Sequence, residues 1–276
     1  MAKGEQVLGP LEQRHIISLL KDGRRLDGRT PFEVRPFEIS PAVIGKAEGS
    51  AQIQLGDTNL IVGVKGQVGA PFPDTPDQAV QIVNMELSPI ASPFFEPGPP
   101  QKPAIELARV VDRGIRESKA VRLDDPSLVV KEGEYVWILF VDVYVIDHHG
   151  NLFDSSILAA MAALTQTQLK KKVVDEEGTL QEVEGETFPV PLNTLAASLT
   201  FGKIDDYIIA DPSIEEERCL TERLTVTATE DGSVCSLQKG EAGAFTKDEI
   251  FQMLDIAQER IPKLLSTLKE QMNENP

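Results

Sequence analysis

Cysteine and histidine are scarce in this chain of 276 residues, which contains two cysteines and three histidines. Two cysteines cannot build a disulfide framework, so we expect a reducing environment. Cys219 and Cys235 also lack the spacing of zinc ligands, and the adjacent side chains of His148 and His149 are poorly placed to reach one metal. No serine stands in a nucleophile-elbow pattern. The sequence therefore predicts no metal site and no hydrolytic triad.

Long apolar runs and an excess of basic residues are also missing. No run approaches the roughly 20 apolar residues of a membrane helix. Residues 1–6 lack the charged and apolar regions of a signal peptide, so we expect a cytoplasmic protein with no membrane contact. A net charge of -17 argues against binding of nucleic acid by the whole surface. Any such binding must be local, or shared with a more basic partner.

Against this acidic background, three arginines are concentrated on one predicted helix at 104–118, which we call the arginine helix. They are Arg109, Arg113 and Arg116. Their spacings of four and three place them in one narrow arc, and apolar residues fill much of the opposite side. Forked guanidiniums match phosphates, so the phosphates of a nucleic acid are the first candidate ligand. The alternative is a solvated stripe that is neutralised by the nearby Glu106, Asp112 and Glu117.

Short β-rich runs alternate with helical segments along the chain. Strands are predicted near 51–55, 60–64, 82–87, 135–146, 195–201, 207–210, 224–229 and 233–238. Helices are predicted at 11–21, at 104–118, at 155–170, where Lys170 to Lys172 end the helix, and from a capping box at Thr246 onward. These elements allow two αβ layers in tandem, with crossover helices on mixed sheets. The predicted fold class is therefore α/β, of the α+β kind.

The acidic stretch at 173–189 is predicted to be a hairpin or a linker that divides the chain. We therefore expect four segments. They are an N-terminal helix and extension at 1–32, a first domain at 33–172, an acidic linker or hairpin at 173–190, and a second domain with the closing helix at 191–276.

Five stretches, taken in their order and spacing, resemble the RNase PH family over almost the whole chain. They are 24–29 (Arg-Arg-Leu-Asp-Gly-Arg), 47–51 with 55–58, the arginine helix, the strand, turn and helix through Gly150, and 229–232 (Thr-Glu-Asp-Gly). The run 96–100 (Glu-Pro-Gly-Pro-Pro) ahead of the arginine helix is similar to that of the non-catalytic RNase PH-type ring subunit of the archaeal exosome. The resemblance implies two tandem βαβα-type layers of the RNase PH and ribosomal protein S5 domain 2-like fold.

That family degrades RNA from its 3′ end with inorganic phosphate as the nucleophile, and the resemblance implies which positions carry this chemistry. Active members have a phosphate-binding arginine at the position of Phe153, another arginine at that of Pro103, and a catalytic aspartate at that of Arg223. Glu217 matches an earlier acidic position, whereas Glu222 is one residue out of register and faces the other side of its strand. We expect no catalytic residue and no cofactor in this chain, with inorganic phosphate as the co-substrate of the complex.

The arginine helix keeps arginine at all three positions where the family has it. The resemblance implies that these arginines line an RNA path at the interface with a catalytic RNase PH-type partner, in a hexameric ring that is a trimer of heterodimers. RNA-binding cap subunits and single-stranded RNA are the other expected partners. Two alternatives stay open. One is a self-sufficient phosphorolytic exoribonuclease that uses Glu217 or Glu222 in a rearranged site, and the other is a scaffold whose helix arginines are held in salt bridges.

Overall fold

The computed structural model describes residues 9–274. Residues 1–8, which include the segment predicted to lack signal-peptide features, lie outside the described residues, as do residues 275–276. The helices are α1 (Pro10–Lys21), α2 (Lys102–Glu117), α3 (Leu152–Thr165), α4 (Ile214–Glu217) and α5 (Lys247–Glu274). The strands are β1 (Phe37–Pro41), β2 (Gly49–Leu55), β3 (Thr58–Gly69), β4 (Val80–Leu87), β5 (Val129–Lys131), β6 (Tyr135–Asp147), β7 (Gln168–Val174), β8 (Leu180–Pro189), β9 (Ala196–Ile204), β10 (Tyr207–Ala210), β11 (Glu222–Thr229) and β12 (Val234–Gly240).

The first sheet is mixed and has the strand order β1-β2-β3-β6-β4, with β5 also pairing with β6. Its neighbouring strands are antiparallel except for β4 and β6, which run parallel. Parallel neighbours need a crossover connection, and α2 supplies a helix in the connection from β4 to β6. The arginine helix is therefore held against this sheet by the topology of the chain.

The second sheet has the strand order β10-β9-β11-β12 and is antiparallel throughout. The prediction of mixed sheets is therefore correct for the first sheet and wrong for the second. The physical reason is that β9 and β10, and likewise β11 and β12, are consecutive strands joined by short turns, which produce antiparallel pairs. The predicted α/β fold class is confirmed.

Helix α3 lies between the two sheets and is buried along nearly its whole length. It packs on β2 and β3 on one side and on β9 on the other. A helix covered from two sides has no polar face, which explains why the run from Ala159 to Ala163 is wholly apolar and fully buried. One continuous apolar core therefore extends through both halves of the chain. Within residues 9–274, no helix combines the length and the apolar character that crossing a membrane requires.

The three lysines at 170–172 lie on strand β7 and not at the end of a helix, so the prediction for them is wrong. Helix α3 ends earlier, at Thr165, and β7 then forms an antiparallel hairpin with β8. The charges of Lys170 and Lys171 are paired across this hairpin, as in the pair of Lys170 Nζ with Glu182 at 2.7 Å, and Lys172 lies over the ring of Trp137. The acidic stretch predicted as a hairpin or linker is therefore part of a hairpin that begins at Gln168, and it contains the end of β7, the turn and all of β8.

A group of buried ion pairs fastens the N-terminal segment to the second half of the chain. Its cations are Arg25, Arg29 and Arg35, which we call the buried arginine cluster. Arg25 Nε donates to Glu216 Oε1 at 2.8 Å. Asp211 accepts from Arg29 Nη1 at 2.8 Å and from Arg35 Nη2 at 2.7 Å. Burial disfavours the charge of Asp211, but the hydrogen bond and charge of Arg35 hold the pKa of its carboxyl below the ordinary value. Buried charges persist only when they are paired. Arg25 and Arg29 of the 24–29 motif therefore have a structural role, which is to form these ion pairs.

Candidate nucleic-acid interface

The arginine helix, α2, begins at Lys102 with Pro103 in its first turn. Proline is tolerated there because the N–H groups of the first turn have no partner within a helix. The buried apolar side of the helix consists mainly of Leu107, Val110, Val111 and Ile115. Gly114 allows a close approach to α3, since a Cβ at this position would lie 2.4 Å from Ile157 Cδ1. The opposite side of the helix is left to the arginines.

The three arginines of this helix differ in their partners. The side chain of Arg109 is exposed and forms no hydrogen bond or ion pair with any of residues 9–274. Arg113 is half-buried and donates from Nη1 to Gln238 Oε1 at 3.1 Å. Arg116 is exposed and pairs with Asp112 through Nη2 and Oδ1 at 2.9 Å. Within the described chain, the pairing that the scaffold alternative requires is therefore present for Arg116 and not for the other two.

A groove of about 220 Å³ borders the first two of these arginines. It is lined by Lys102, Ile105, Glu106, Arg109, Val110, Arg113 and Gln238. Three of these side chains are cationic, and Glu106 is the single carboxylate among them. Guanidinium groups grip phosphates without reading sequence, and the apolar residues offer a surface for the rest of a nucleotide. The groove has the chemistry of a site for the backbone of a single-stranded nucleic acid.

Two of the positions where the family resemblance implies catalytic groups are in contact with each other. Phe153 lies in the first turn of α3 and is 6% exposed. Arg223 lies on β11, and its guanidinium carbon is 4.3 Å from the centroid of the Phe153 ring. Arg223 also forms an ion pair with Glu106 of the arginine helix. We call these three residues the Arg223 cluster. The third position, Pro103, lies one turn before Glu106 on the same helix.

The guanidinium of Arg223, the cation of this cluster, has its partners within the protein. A guanidinium that rests on an aromatic ring and pairs with a carboxylate already has the two kinds of partner it favours. The ring of Phe153 has neither a charge nor a donor for phosphate, and Pro103 has no N–H group to offer. The arrangement therefore stabilises the contact between helices α2 and α3 and strand β11, and it presents no cradle of free cations for inorganic phosphate.

The two carboxylates considered for a rearranged site face different ways. Glu217 accepts a hydrogen bond from the backbone N of Asn151 at 2.7 Å. Burial raises the pKa of Glu217 to about 7, against the opposing effects of this hydrogen bond and of the charge of Arg223. Glu222 is buried and accepts a hydrogen bond from Ala244 N at 3.1 Å. Neighbouring residues of a strand point to opposite faces, so Glu222 faces away from Arg223, as predicted. Within residues 9–274, no group of three or more His, Cys, Asp and Glu side chains is arranged to hold a metal ion.

Sequence reasoning did not find Gln238 and Gly240 on strand β12. Gly240 is the register partner of Arg223, and a Cβ on it would lie 2.5 Å from Arg223 Nη2. The absence of a side chain at Gly240 therefore makes room for the guanidinium. Gln238, two residues earlier, holds Arg113. Both roles depend on the register between β11 and β12, for which the two strands carry no signal that can be read from the sequence alone.

Two family models and several known proteins match this chain. The models are those of domain 1 and domain 2 of the 3′ exoribonuclease family, RNase PH, and they match residues 33–170 and 194–260. The exosome complex component Rrp42 of Thermococcus kodakarensis is 50% identical over 252 residues, which are 91% of this chain and 92% of that relative. A chain of the Archaeoglobus fulgidus exosome with RNA bound to the active site is 44% identical, with a TM-score of 0.84, and the match covers 93% of this chain and 97% of that one.

A chain of an archaeal exosome core is 42% identical with a TM-score of 0.81, and this match covers 94% of this chain and 96% of that one. The implied RNase PH-type fold is thereby confirmed. Since the family models cover most of the chain and the identity to relatives extends over nine-tenths of it, this chain belongs to the RNase PH family of 3′ exoribonucleases.

Proposed function

We propose that this chain is a non-catalytic, RNA-binding ring subunit of an exosome that degrades RNA from 3′ to 5′ by phosphorolysis. It forms the active-site interface with a catalytic RNase PH-type partner in a hexameric ring, a trimer of heterodimers, to which RNA-binding cap subunits attach. The observation that carries this proposal is the Arg223 cluster, in which the guanidinium of Arg223 is stacked on Phe153 and paired with Glu106. A cytoplasmic location stays a prediction.

The loss of catalysis follows from what phosphorolysis needs. The attacking phosphate must be held by cations close to the scissile linkage, and a carboxylate must handle a proton or a metal. By the family resemblance, Phe153 occupies the place of the phosphate-binding arginine and Arg223 the place of the acid. Each therefore brings the wrong chemistry, and their mutual contact closes the space between them. Inorganic phosphate, the co-substrate of the complex, then binds to the partner subunit.

The role in RNA binding follows from the helix arginines. Among the residues that the structure describes, the guanidinium of Arg109 has no partner, and Arg113 keeps most of its donors free beside the same groove. Arg116 is already paired with Asp112, so we expect it to contribute least. Contacts of this kind grip the phosphate backbone of any sequence, which suits a processive exonuclease. The net charge of -17 discourages RNA from binding elsewhere on the chain.

The experiment that tests this proposal is phosphorolysis of a single-stranded RNA by the purified chain, the purified partner and their mixture. The measured quantity is the release of nucleoside diphosphates in the presence of inorganic phosphate. We expect release from the mixture and none from this chain alone. A mixture made with a partner whose catalytic aspartate is substituted is the matched control, and it should be inactive. Robust release by this chain alone, free of partner, would overturn the proposal.

One observation favours the self-sufficient enzyme as a second candidate. Glu217 has a pKa of about 7, which is suited to a general acid or base at neutral pH. The substitution Glu217→Gln separates the two candidates in the same assay. The self-sufficient enzyme would lose its activity with this carboxyl, whereas a mixture that relies on the partner's acid keeps its activity.

A further inference from the structure

The groove beside the arginine helix contains a carboxylate in an unfavourable place for binding RNA. Glu106 lines the groove together with Arg109 and Arg113. It stands three residues before Arg109, a spacing at which a carboxylate and a guanidinium on one helix reach each other. A free carboxylate here would attract Arg109 and repel a phosphate. Yet Arg109 has no ion pair with any of the described residues.

Arg223 holds Glu106 in the structure. Its side chain is 15% exposed and that of Glu106 is 42% exposed, so the pair sits at the inner edge of the groove. The guanidinium carbon of Arg223 lies 4.3 Å from the centroid of the Phe153 ring, on which it stacks. Gly240 has no side chain and so leaves space for the guanidinium. Because Arg223 comes from strand β11 and Glu106 from the helix, the ion pair directs the carboxylate toward the sheet and away from the next turn of the helix.

We propose that Arg223 is a positioning residue for RNA binding, which holds Glu106 against β11 and thereby keeps it from pairing with Arg109. The guanidinium of Arg109 stays available for an RNA phosphate. This rests on the proposed RNA-binding role of the arginine helix. The positive charge at position 223, where active relatives carry an acid, then has a function in RNA binding: it neutralises Glu106, the one carboxylate that lines the groove.

The test is a double-mutant cycle of Arg223→Met, Glu106→Gln and their combination, on the ring assembled with its catalytic partner. The probe is a fluorescein-labelled oligoadenylate, and the buffer contains no phosphate, so the RNA is bound but not degraded. Arg223→Met keeps an apolar contact on Phe153 and removes the charge. We expect RNA binding about fivefold weaker, with the slope of log affinity against log salt reduced by about 0.7, the value for one lost phosphate contact on a single strand. If this variant does not assemble, Arg223→Gln takes its place.

The decisive variant is the double substitution of Arg223→Met with Glu106→Gln. The amide no longer competes for Arg109, so we expect affinity and salt slope to return to within about twofold of the unsubstituted ring. Glu106→Gln alone should change the affinity much less, because Arg223 already holds this carboxylate, whereas a merely structural role of Arg223 would make the effect of Glu106→Gln equal with and without Arg223. If the double variant binds as weakly as Arg223→Met, or if Arg223→Met binds normally, the proposal is wrong.

A matched control and a reference variant complete the experiment. Lys203→Met removes another ion pair between a strand and a helix, that of Lys203 with Glu249 at 2.6 Å, and neither residue lines the groove. It should bind RNA normally, and equal weakening by it would contradict the proposal. Arg109→Glu reports on the proposed function itself. If it does not weaken binding, the RNA role of the helix fails; if it does and Arg223→Met does not, the positioning role alone fails.

Discussion

The buried arginine cluster and the arginine helix each contain three arginines, but among the described residues carboxylates pair with all three in the cluster and only with Arg116 in the helix. Arg25 and Arg29 are nearly inaccessible and are paired with Glu216 and Asp211. Arg109, in contrast, is exposed and has no partner in the described part of the chain. The same residue type therefore serves folding in one region and is available to a ligand in the other. The difference is decided by where the carboxylates lie, and residue type alone does not reveal it.

The largest expected effect comes from removing the acid of the buried arginine cluster. Asp211→Asn removes the carboxylate that Arg29 and Arg35 share and leaves Arg29 paired with Asp27 alone, so we expect a loss of about 3–5 kcal/mol in the free energy of unfolding. Asp112→Asn is the matched control, because it breaks the exposed pair with Arg116 and should cost less than about 1 kcal/mol. Denaturant titrations of the three proteins measure both values. Equal losses would remove the contrast between the two regions.

The next effect concerns RNA binding by the arginine helix. In the assembled complex, Arg109→Glu replaces a free cation by an anion, so we expect about tenfold weaker RNA binding and slower degradation, with assembly unchanged. Lys263→Glu makes the same change of charge on the exposed side of α5, at a residue paired with Glu259, and it should change affinity little. Affinities at several salt concentrations give the measurement. Normal, salt-dependent affinity in Arg109→Glu would return the arginines to the solvated stripe of the alternative interpretation.

A third effect is expected at Glu217, whose carboxyl interacts with the charge of Arg35 in the buried arginine cluster and with that of Arg223, the partner of Glu106 on the arginine helix. Burial raises its pKa from the ordinary 4.5 to about 7 in the folded protein. The contribution of this group to stability is therefore complete below pH 4.5 and is lost as the pH rises through 7. Unfolding midpoints at pH 5 and pH 8 should differ less in Glu217→Gln than in the unsubstituted protein. An unchanged pH dependence would mean that Glu217 titrates normally.

The smallest effect distinguishes members of the arginine helix from one another. Arg116 is already neutralised by Asp112, so Arg116→Ala should weaken RNA binding by about twofold or less. Arg113→Ala, which removes a guanidinium tied only to the amide of Gln238, should weaken it more. Parallel titrations of the two variants with one labelled RNA give the ranking. The reverse ranking would show that the ion pair with Asp112 opens when RNA binds.

Local patterns allowed much of the fold to be predicted from the sequence. The β-branched and aromatic run at 135–146 became β6, and the capping box at Thr246 is formed, with Thr246 N donating to Glu249 at 2.7 Å. The lysines at 170–172 were misplaced because their neighbours across the hairpin, such as Glu182, are not visible as neighbours in the sequence. The fully antiparallel second sheet was missed for the same reason. Pairing between distant segments is decided by tertiary structure.

In the candidate site too, features that depend on nearby residues could be predicted, whereas contacts between residues distant in the sequence could not. The spacing of the arginines, the helix that carries them and the family positions Pro103, Phe153 and Arg223 could all be identified in the sequence. The stacking of Arg223 on Phe153 could not be predicted, because Phe153 lies at the start of a helix and Arg223 on a strand that is distant in the sequence. Nor could Arg109 and Arg116 be told apart, since their different partners depend on side-chain placement.

The Arg223 cluster couples the side chains at positions 153 and 223, so that a change of charge at either position alone is unfavourable. Arg223→Asp alone would set a third carboxylate near Glu106 and Glu217 and would remove the guanidinium that pairs with Glu106, an arrangement that like-charge repulsion opposes. Phe153→Arg alone would bring two guanidiniums together at the same spot. Each change is unfavourable until the other accompanies it, so the two positions can exchange their side-chain chemistry only together.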